Sequence, residues 1–406
     1  MTKNETTLKR SLSLPLITFY GLGNILGAGI YVLIGKVAGE AGYFAPLAFF
    51  IASIIAAITA FTYAELSARY PVSAGEAVYL YEGFRNSNLS KFVGILIALA
   101  GIVSAAAIAH GFAGYLQVFV DIPAPLIISS ILILLGVLTA WGISQSVAIA
   151  AAFTVIEILG LLLIIGIGAD HLPEFTEVVA TTHTRFSAIP WLGVMSGAFL
   201  AFYAYIGFED MVNVAEEVKN PQRNMPMAIL IAVIISTLLY GAVSIISVSV
   251  LSPEQLSASD APLAAVYSEV TGEAPVLITV IGLFAVINGA LIQIIMASRL
   301  LYGMAIRHWL PQPLAKISPR TRTPINSTIV VVVSMLFFAL ILPLVTLAEL
   351  TSYIVLTVFA LVNLALIKIK KQSPQPTGVS VFSIWIPRLG FVTTLLFLLN
   401  QLISNF

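Results

Sequence analysis

Charge is scarce in this chain, and cysteine is absent altogether. Only 9% of the 406 residues are charged, whereas 59% are hydrophobic and the mean hydropathy is +1.02. A soluble globular domain carries roughly 25% charged residues, so this chain cannot cover the surface of a water-soluble protein of its size. The lack of cysteine excludes a disulfide-linked ancillary subunit and thiolate ligands for a metal. The balance of 19 basic and 19 acidic residues argues against a nucleic-acid partner.

Long apolar runs are abundant instead. In lipid, every backbone polar group needs a partner within the protein, which leaves helix bundles or closed barrels as membrane-spanning structures. A spanning strand needs about 10 residues and a spanning helix about 20, and the nearly uncharged runs here have helix length. The sequence therefore predicts an all-α integral membrane protein that is surrounded by membrane lipid.

The apolar runs define about eleven transmembrane helices. We divide the chain into a cytoplasmic tail at 1–12, a first five-helix repeat at 13–169, a second at 190–368 and an additional C-terminal transmembrane helix at 384–404. The last span is the weakest because Pro387 and Arg388 interrupt it. The predicted spans lie near residues 13–37, 44–68, 92–120, 124–141, 146–169, 190–213, 226–250, 274–305, 326–343, 346–368 and 384–404.

Lysine and arginine segregate to one side of this map. When the N-terminus is placed in the cytoplasm, all of the 19 basic residues except Lys36 and Arg185 fall on the cytoplasmic side. Cytoplasmic loops of membrane proteins carry an excess of these residues. We therefore expect a multi-pass protein of a prokaryotic cytoplasmic membrane with a cytoplasmic N-terminus.

The first and sixth spans are unusually rich in glycine. The first carries five glycines between residues 21 and 35, and the sixth carries Gly197 and Gly207 beside Glu209 and Asp210. Glycine-interrupted segments at corresponding positions of two halves point to inverted repeats with helices broken near the middle of the membrane. Glycine can also serve only close helix packing, but the paired clusters favour discontinuous helices 1 and 6.

A break over residues 27–29 would suit a zwitterion. The second half-helix would present free N–H groups and the positive end of its dipole to a carboxylate. The first half-helix would end in free carbonyl groups near residues 24–26, which suit an ammonium group or a small cation. The sixth span can contribute in the same way from the opposite direction, and its aromatic residues Phe202 and Tyr203 could close over a substrate.

Four stretches of the sequence carry a resemblance to a known family. They are GNILGAGIY at 23–31, YAELSARYPVSAGEAVYLYEGF at 63–84, AYIGFEDMVNVAEEVKNPQRNMP at 204–226 and SRLLYGMAIRHWLPQPLAKISPRTRTP at 298–324. In this order and spacing they resemble the signatures of the amino acid–polyamine–organocation superfamily of transporters, and the resemblance extends to about residue 370.

The resemblance implies the five-plus-five inverted-repeat transporter fold, alternating access and a small-molecule amino acid substrate. It implies that N–H groups of residues 28–30 bind the carboxylate and that carbonyl groups of Ile25, Tyr203 and Ile206 bind the ammonium group. Tyr203 matches a gating aromatic residue of the superfamily. The predicted substrate-binding residues are Ile25, Gly27, Ala28, Gly29, Ile30, Phe202, Tyr203, Ile206 and Gly207.

Glu157 lies near the middle of the fifth span. Several proton-coupled or sodium-independent members of the superfamily have lysine where alignment of residues 147–165 puts Glu157. A charge at the bilayer centre costs roughly 2.5–3.5 kcal/mol on insertion scales, so an acid there needs a partner or a role. Three interpretations are open: Glu157 is protonated and bonds a neighbouring helix, it couples transport to H⁺, or it is part of a cation site that takes Na⁺. No other cofactor and no metal site is predicted.

The predicted function is secondary active transport of amino acids across the membrane. The pocket lining that the sequence identifies is apolar and aromatic, which favours a neutral amino acid carried by proton symport or by exchange. The alternative is a cationic amino acid or a polyamine, with Glu209 receiving the second positive charge. Glu209 also has a structural interpretation, as an acid at the water-filled end of the sixth helix.

Two other protein classes fit the sequence less well. A channel would not need a pair of broken helices directed at a zwitterion. An enzyme would need a metal cluster, or a nucleophile with a base. The four histidines are instead scattered along the chain, at His110, His171, His183 and His308.

The charge distribution makes a prediction about orientation. Because the parent chain has no cysteine, Asn88→Cys and Ser257→Cys each introduce a single thiol. A membrane-impermeant thiol reagent applied to right-side-out cells should label the thiol at position 257 and spare the one at position 88, because the predicted map puts residue 257 outside. The reverse labelling pattern would invert the orientation.

Overall fold

The bundle is described by a computed structural model over residues 10, 12–27, 29–72, 75–141, 147–173, 189–321, 323–376 and 378–404. Almost all of these residues are helical. Within these ranges no strand occurs, apart from one isolated bridge between Leu12 and Val218. The fold is the all-α bundle that the apolar runs predict.

The helices follow one another with short connections. Short 3-10 segments occur at Gly42–Phe44, Ala169–His171, Tyr203–Tyr205, Glu209–Glu217 and Gln312–Ala315. The α-helices are α1 (Leu14–Leu26), α2 (Gly29–Ala41), α3 (Ala45–Arg69), α4 (Gly75–Phe84), α5 (Ser87–Gln117), α6 (Ala124–Trp141), α7 (Val147–Gly168), α8 (Trp191–Phe202), α9 (Pro221–Val250), α10 (Pro253–Ala258), α11 (Pro262–Thr271), α12 (Val276–Ile306), α13 (Ile325–Ile341), α14 (Leu344–Gln372) and α15 (Trp385–Ser404).

Nine helical stretches among the described residues are long and apolar enough to cross a membrane. One of them, Leu14–Arg69, is 56 residues long and contains α1, α2 and α3, while α13 is a shorter apolar helix. The predicted spans coincide with these helices within a few residues, because uninterrupted apolar length determines what can cross. Pro387 does not break α15, since this helix begins at Trp385 and proline is tolerated in a first turn.

Two segments that the sequence predicts as loops contain short helices. α4 lies in the predicted loop 69–91, and α10 and α11 lie in the predicted loop 251–273. The N-terminus of α10 has a capping box in which Ser252 and Gln255 bond each other's backbone N–H groups. These helices are too short to be predicted from apolar length alone.

The helix contacts pair equivalent members of the two predicted repeats. The two most extensive contacts join α3 to α9 and α5 to α12, and each joins helices at equal positions of the two predicted repeats. The first helix of each predicted repeat also packs on the second helix of the other repeat. α1 packs on α9, and α8 packs on α3. This arrangement brings the two glycine-rich spans, α1–α2 and the one that starts with α8, to the centre of the bundle.

A buried ion cluster joins α3 to the C-terminal helices. Glu65 is fully buried and accepts hydrogen bonds at Oε1 from Arg69 Nη2 at 2.7 Å and from Lys370 Nζ at 2.6 Å. The backbone N–H of Phe382 donates to Oε2 at 2.9 Å. Removing one partner of a buried pair costs about 3–5 kcal/mol, so the cluster fixes α14 and the approach to α15 against α3.

Candidate functional site

The first span is interrupted where its glycines predict a break. α1 ends at Leu26 and α2 begins at Gly29. Gly27 has φ −15° and ψ −98°, and its N–H donates to the carbonyl of Gly23 at 3.2 Å. Ala28, a predicted carboxylate ligand, lies outside the described residues. The break leaves the last carbonyl groups of α1 without all of their helical N–H donors.

The sixth span is interrupted over a longer stretch. α8 ends at Phe202 and is followed by the 3-10 turn Tyr203–Tyr205, then by a non-helical turn that contains Gly207, and then by the 3-10 segment Glu209–Glu217. Gly207 has φ +131°, a conformation that glycine adopts at little cost. Its N–H donates to Oε2 of Glu209 at 2.8 Å. Glu209 therefore stabilises the turn, in addition to any role towards a substrate.

The two interruptions touch each other through their backbones. A methyl group added at Gly29 would lie 2.5 Å from Cα of Ala204, and one added at Gly207 would lie 2.7 Å from the carbonyl oxygen of Asn24. Each position therefore requires glycine, because the backbone of the other span occupies the space that a side chain would need. The absence of a side chain at Gly29 allows this contact. This agrees with the interpretation that glycines of the first span serve close helix packing.

Tyr240 in α9 connects the two interruptions. Its hydroxyl oxygen lies 2.6 Å from the carbonyl oxygen of Ile25 and 2.9 Å from that of Ala204. The Ile25 carbonyl is one of the groups predicted to bind an ammonium group. Sequence reasoning missed Tyr240, and the available signal was weak: it is the one aromatic residue of a 30-residue helix, and a buried tyrosine usually finds a partner for its hydroxyl.

The aromatic residues predicted to close over a substrate are held by other helices. Tyr203 Oη lies 3.0 Å from Oγ of Ser104 in α5. The ring of Phe202 packs edge-on against Phe359 and Phe397, with centroid distances of 5.9 and 6.4 Å. Phe202 thus faces α14 and α15, and Tyr203 is fixed to α5.

A small cavity lies next to the interruption of the sixth span. Ile206 and Glu209 line it; the other described members of the predicted site do not. Most of its wall is apolar. The lining residues are Tyr63, Glu76, Ile97, Ala100, Gly101, Ser104, Ile206, Glu209, Asp210, Gln293, Met296, Thr351, Val355, Val358 and Phe359.

Three carboxyl groups lie in this cavity wall. Glu76, Glu209 and Asp210 are only 2%, 7% and 4% exposed, and Asp210 accepts a hydrogen bond from the amide of Gln293 at 3.2 Å. The ion pairs of the described ranges do not include these acids. Burial raises the pKa of Glu76 to about 8, and the nearby charge of Asp210 also raises it. Glu76 was missed because it lies on α4, in a predicted loop.

In the part of the chain that the structure describes, no group of three or more histidine, aspartate or glutamate side chains is arranged to hold a metal ion. Carboxylate acceptors in a cavity wall suit a ligand with N–H donors, such as a guanidinium or a primary ammonium group.

Glu157 lies at a different place in the bundle, on α7, where its side chain contacts α12. It is fully buried, and its Oε1 accepts a hydrogen bond from Asn288 Nδ2 at 3.1 Å. Its Oε2 has no partner among the described residues. The Tyr31 hydroxyl donates to the backbone carbonyl of Glu157 at 2.6 Å, and Tyr115 donates to that of Tyr31 at 2.8 Å. Glu157 is thereby connected to α2, the half-helix that follows the first interruption.

A membrane helix bundle in which two interrupted spans, five positions apart, contact each other has the architecture of a secondary transporter. The chain belongs to the amino acid permease family, because residues 12–405 match the family described as "Amino acid permease".

The relatives of this chain include transporters with different substrates in their names. It is 29% identical to a vacuolar cationic amino acid transporter 4 of Arabidopsis thaliana, over 92% of this chain and 65% of that protein. It is 29% identical to a methylthioribose transporter of Bacillus subtilis, over 91% of this chain and 83% of that protein. It is 28% identical to a branched-chain amino acid permease of Bacillus subtilis, over 98% and 90%. The chain therefore spans less than two thirds of the Arabidopsis transporter.

The close backbone contact between the two interruptions leads to a prediction about glycine substitutions. Gly29→Ala should abolish substrate binding without preventing membrane insertion, because its new methyl group meets backbone atoms of Ala204 that cannot move aside cheaply. Overpacking of this kind typically costs about 1–3 kcal/mol. The measurement is ligand-dependent thermal stabilisation of the purified variant.

Gly241→Ala is the matched control, because a methyl group at that helical position meets nothing within 4 Å. It should bind substrate like the parent. Parental binding by Gly29→Ala would contradict the close contact with Ala204.

Proposed function

We propose that this protein is a secondary active transporter that carries amino acids across a prokaryotic cytoplasmic membrane by alternating access, and that it is not an enzyme. One observation carries the proposal: the interruptions of two spans that are five positions apart contact each other, and a cavity lies next to the second of them. In this proposal the substrate carboxylate takes the N–H groups of residues 28–30. The ammonium group takes the carbonyl groups of Ile25, Tyr203 and Ile206, of which Ile206 belongs to the cavity wall.

We propose the repeats at 13–169 and 190–368 as the two units of the fold, with 384–404 as an additional span. The paired contacts of α3 with α9 and of α5 with α12 support this division. We further propose a cytoplasmic N-terminus, with the charge distribution as its support. Movement of one repeat against the other would then expose the cavity to each side in turn.

The first candidate substrate class is the neutral amino acids. Its support is the largely apolar wall, where a neutral side chain would meet Ile97, Met296 and Val355. Burial of a Val, Leu or Ile side chain is worth about 1.5–3 kcal/mol. The branched-chain amino acid permease among the relatives fits this candidate.

The second candidate class is the cationic amino acids and polyamines. Its support is the group formed by Glu76, Glu209 and Asp210, which lies in the same wall without a basic partner in the described ion pairs. A buried carboxylate is stable only when it is paired or bonded, and a second positive charge on the substrate would supply the partner. Five cationic amino acid transporters of Arabidopsis thaliana are among the relatives.

A counterflow experiment decides between the two candidates. Proteoliposomes are preloaded with each of the twenty amino acids or putrescine, and saturable uptake of the labelled compound is measured. Under the first candidate, neutral amino acids drive counterflow and arginine does not compete. Under the second, arginine competes with the parent, and Glu209→Gln loses that competition while neutral substrates are largely retained.

Glutamine is the suitable replacement because its amide oxygen can still accept the Gly207 N–H bond that Glu209 accepts. The second candidate also predicts a pH effect. Glu76, with a pKa of about 8, is neutral at lower pH and charged at higher pH, so apparent affinity for arginine should rise as pH increases from 7 to 9. Glu76→Gln should flatten this rise.

We propose that Glu157 couples transport to protons. Its support is a fully buried carboxyl with one oxygen bonded to Asn288 and the other without a partner among the described residues. A proton on the second oxygen would remove the charge that makes an acid costly inside a membrane. Gain and loss of this proton would act on α2 through Tyr31, which bonds the Glu157 backbone.

Uptake by the parent and by Glu157→Gln between pH 5 and 8.5, with and without sodium, tests this coupling. Glutamine mimics the protonated acid, so the variant should exchange substrate at a rate nearly independent of pH and should not concentrate it on a proton gradient. Sodium dependence of the parent that Glu157→Gln removes would instead assign a cation site. A parent with neither dependence would make Glu157 structural.

A further inference from the structure

The carbonyl oxygen of Ile25 accepts a hydrogen bond from within the protein. The Tyr240 hydroxyl lies 2.6 Å from it and 2.9 Å from the carbonyl oxygen of Ala204. Both carbonyl groups lie at interruptions, since α1 ends at Leu26 and the N–H of Gly207 is bonded to Glu209 rather than to the preceding turn. A phenol has one proton, so at any moment it can donate fully to only one of the two carbonyl oxygens.

We propose that Tyr240 is a positioning residue whose hydroxyl replaces the substrate's ammonium group at the Ile25 carbonyl, and that this replacement lets the carrier change sides without substrate. The inference rests on the proposed function, in which the ammonium group binds Ile25. With substrate bound, the ammonium group donates to Ile25 and the hydroxyl donates to Ala204. Without substrate, the hydroxyl donates to Ile25.

The surroundings of Tyr240 allow this switch with little movement. Tyr240 is fully buried, and its ring packs edge-on against Phe49 and Tyr205 with centroid distances of 5.9 and 5.1 Å. The ring therefore stays in place while only the O–H bond rotates. Because the hydroxyl is within hydrogen-bond distance of both carbonyl oxygens, neither backbone has to move when the donor changes its acceptor.

This change of acceptor by the Tyr240 hydroxyl affects whether the carrier only exchanges substrates or also carries out net transport. A buried carbonyl group without a donor is costly, and that cost would fall on the empty carrier each time it crosses between its two states. A carrier without an internal donor would therefore return efficiently only when loaded, which is strict exchange. An internal donor at Ile25 reduces the cost of the empty return and permits net transport.

The test compares two rates in proteoliposomes loaded with a labelled amino acid that the parent accepts. Efflux into substrate-free buffer measures net transport, and efflux into buffer with saturating unlabelled substrate measures exchange. Tyr240→Phe keeps the ring and removes the donor. We expect net efflux to fall about tenfold, the effect of one buried acceptor losing its donor on the rate-limiting step. Exchange should change less than about twofold, because the ammonium group of a bound substrate has three N–H donors and can bond both carbonyl groups in the variant.

Tyr205→Phe is the matched control, because Tyr205 touches the Tyr240 ring and its hydroxyl lies near Ser53 and Thr237 rather than at a carbonyl group of either interruption. It should keep both rates. An equal fall of both rates in Tyr240→Phe, or no change in either, would overturn the inference. A parent that exchanges no amino acid at all would instead overturn the proposed function.

A second measurement applies if Tyr240→Phe does not fold. 3-Fluorotyrosine at position 240 keeps the ring and the hydroxyl but changes the strength of the donor. The ratio of net efflux to exchange should change relative to the same replacement at position 205. An unchanged ratio overturns the inference.

Discussion

The hydrogen-bonding groups of the backbone have to be satisfied at two helix interruptions inside an apolar bundle, and the centre of this protein is organised around that constraint. Water is not freely available in a membrane interior, and each unsatisfied group there is costly. Tyr240 supplies a donor to the carbonyl groups of both spans, and Glu209 supplies an acceptor to the N–H of Gly207. The breaks are therefore stabilised by side chains from a third helix and from the broken span itself.

The acidic groups of the interior fall into two separate sets with different surroundings. Glu76, Glu209 and Asp210 belong to the cavity wall, whereas Glu157 bonds Asn288 of α12 and is absent from that wall. The backbone of Glu157 is bonded to Tyr31 of α2. This separation would let one set recognise a substrate while the other responds to protons.

The sequence predicts the features of this fold that depend on local composition. Apolar length predicts the spans, and the glycines of residues 27–29 and 207 mark both interruptions, because a broken helix leaves a local signature. Contacts between distant segments leave no such signature. Nothing in the sequence of α9 says that Tyr240 reaches Ile25, which is 215 positions away, and nothing in the motif at 63–84 says that Glu76 lies in the wall of a cavity. The need for glycine at position 29 is likewise non-local, because a side chain there would meet the backbone of Ala204.

The crossing of the two spans is made by residues with almost no side chain, and this has a consequence for how a substrate could enter. Gly29 meets Ala204 and Gly207 meets the Asn24 backbone, so at these two points backbone packs against backbone. The Tyr240 hydroxyl lies within hydrogen-bond distance of a carbonyl group of each span, and such a bond can be exchanged for one of similar strength. An amino acid carries ammonium donors and carboxylate acceptors of the same kinds. A substrate could therefore take over bonds at the crossing one for one, without the cost of disrupting close-packed side chains.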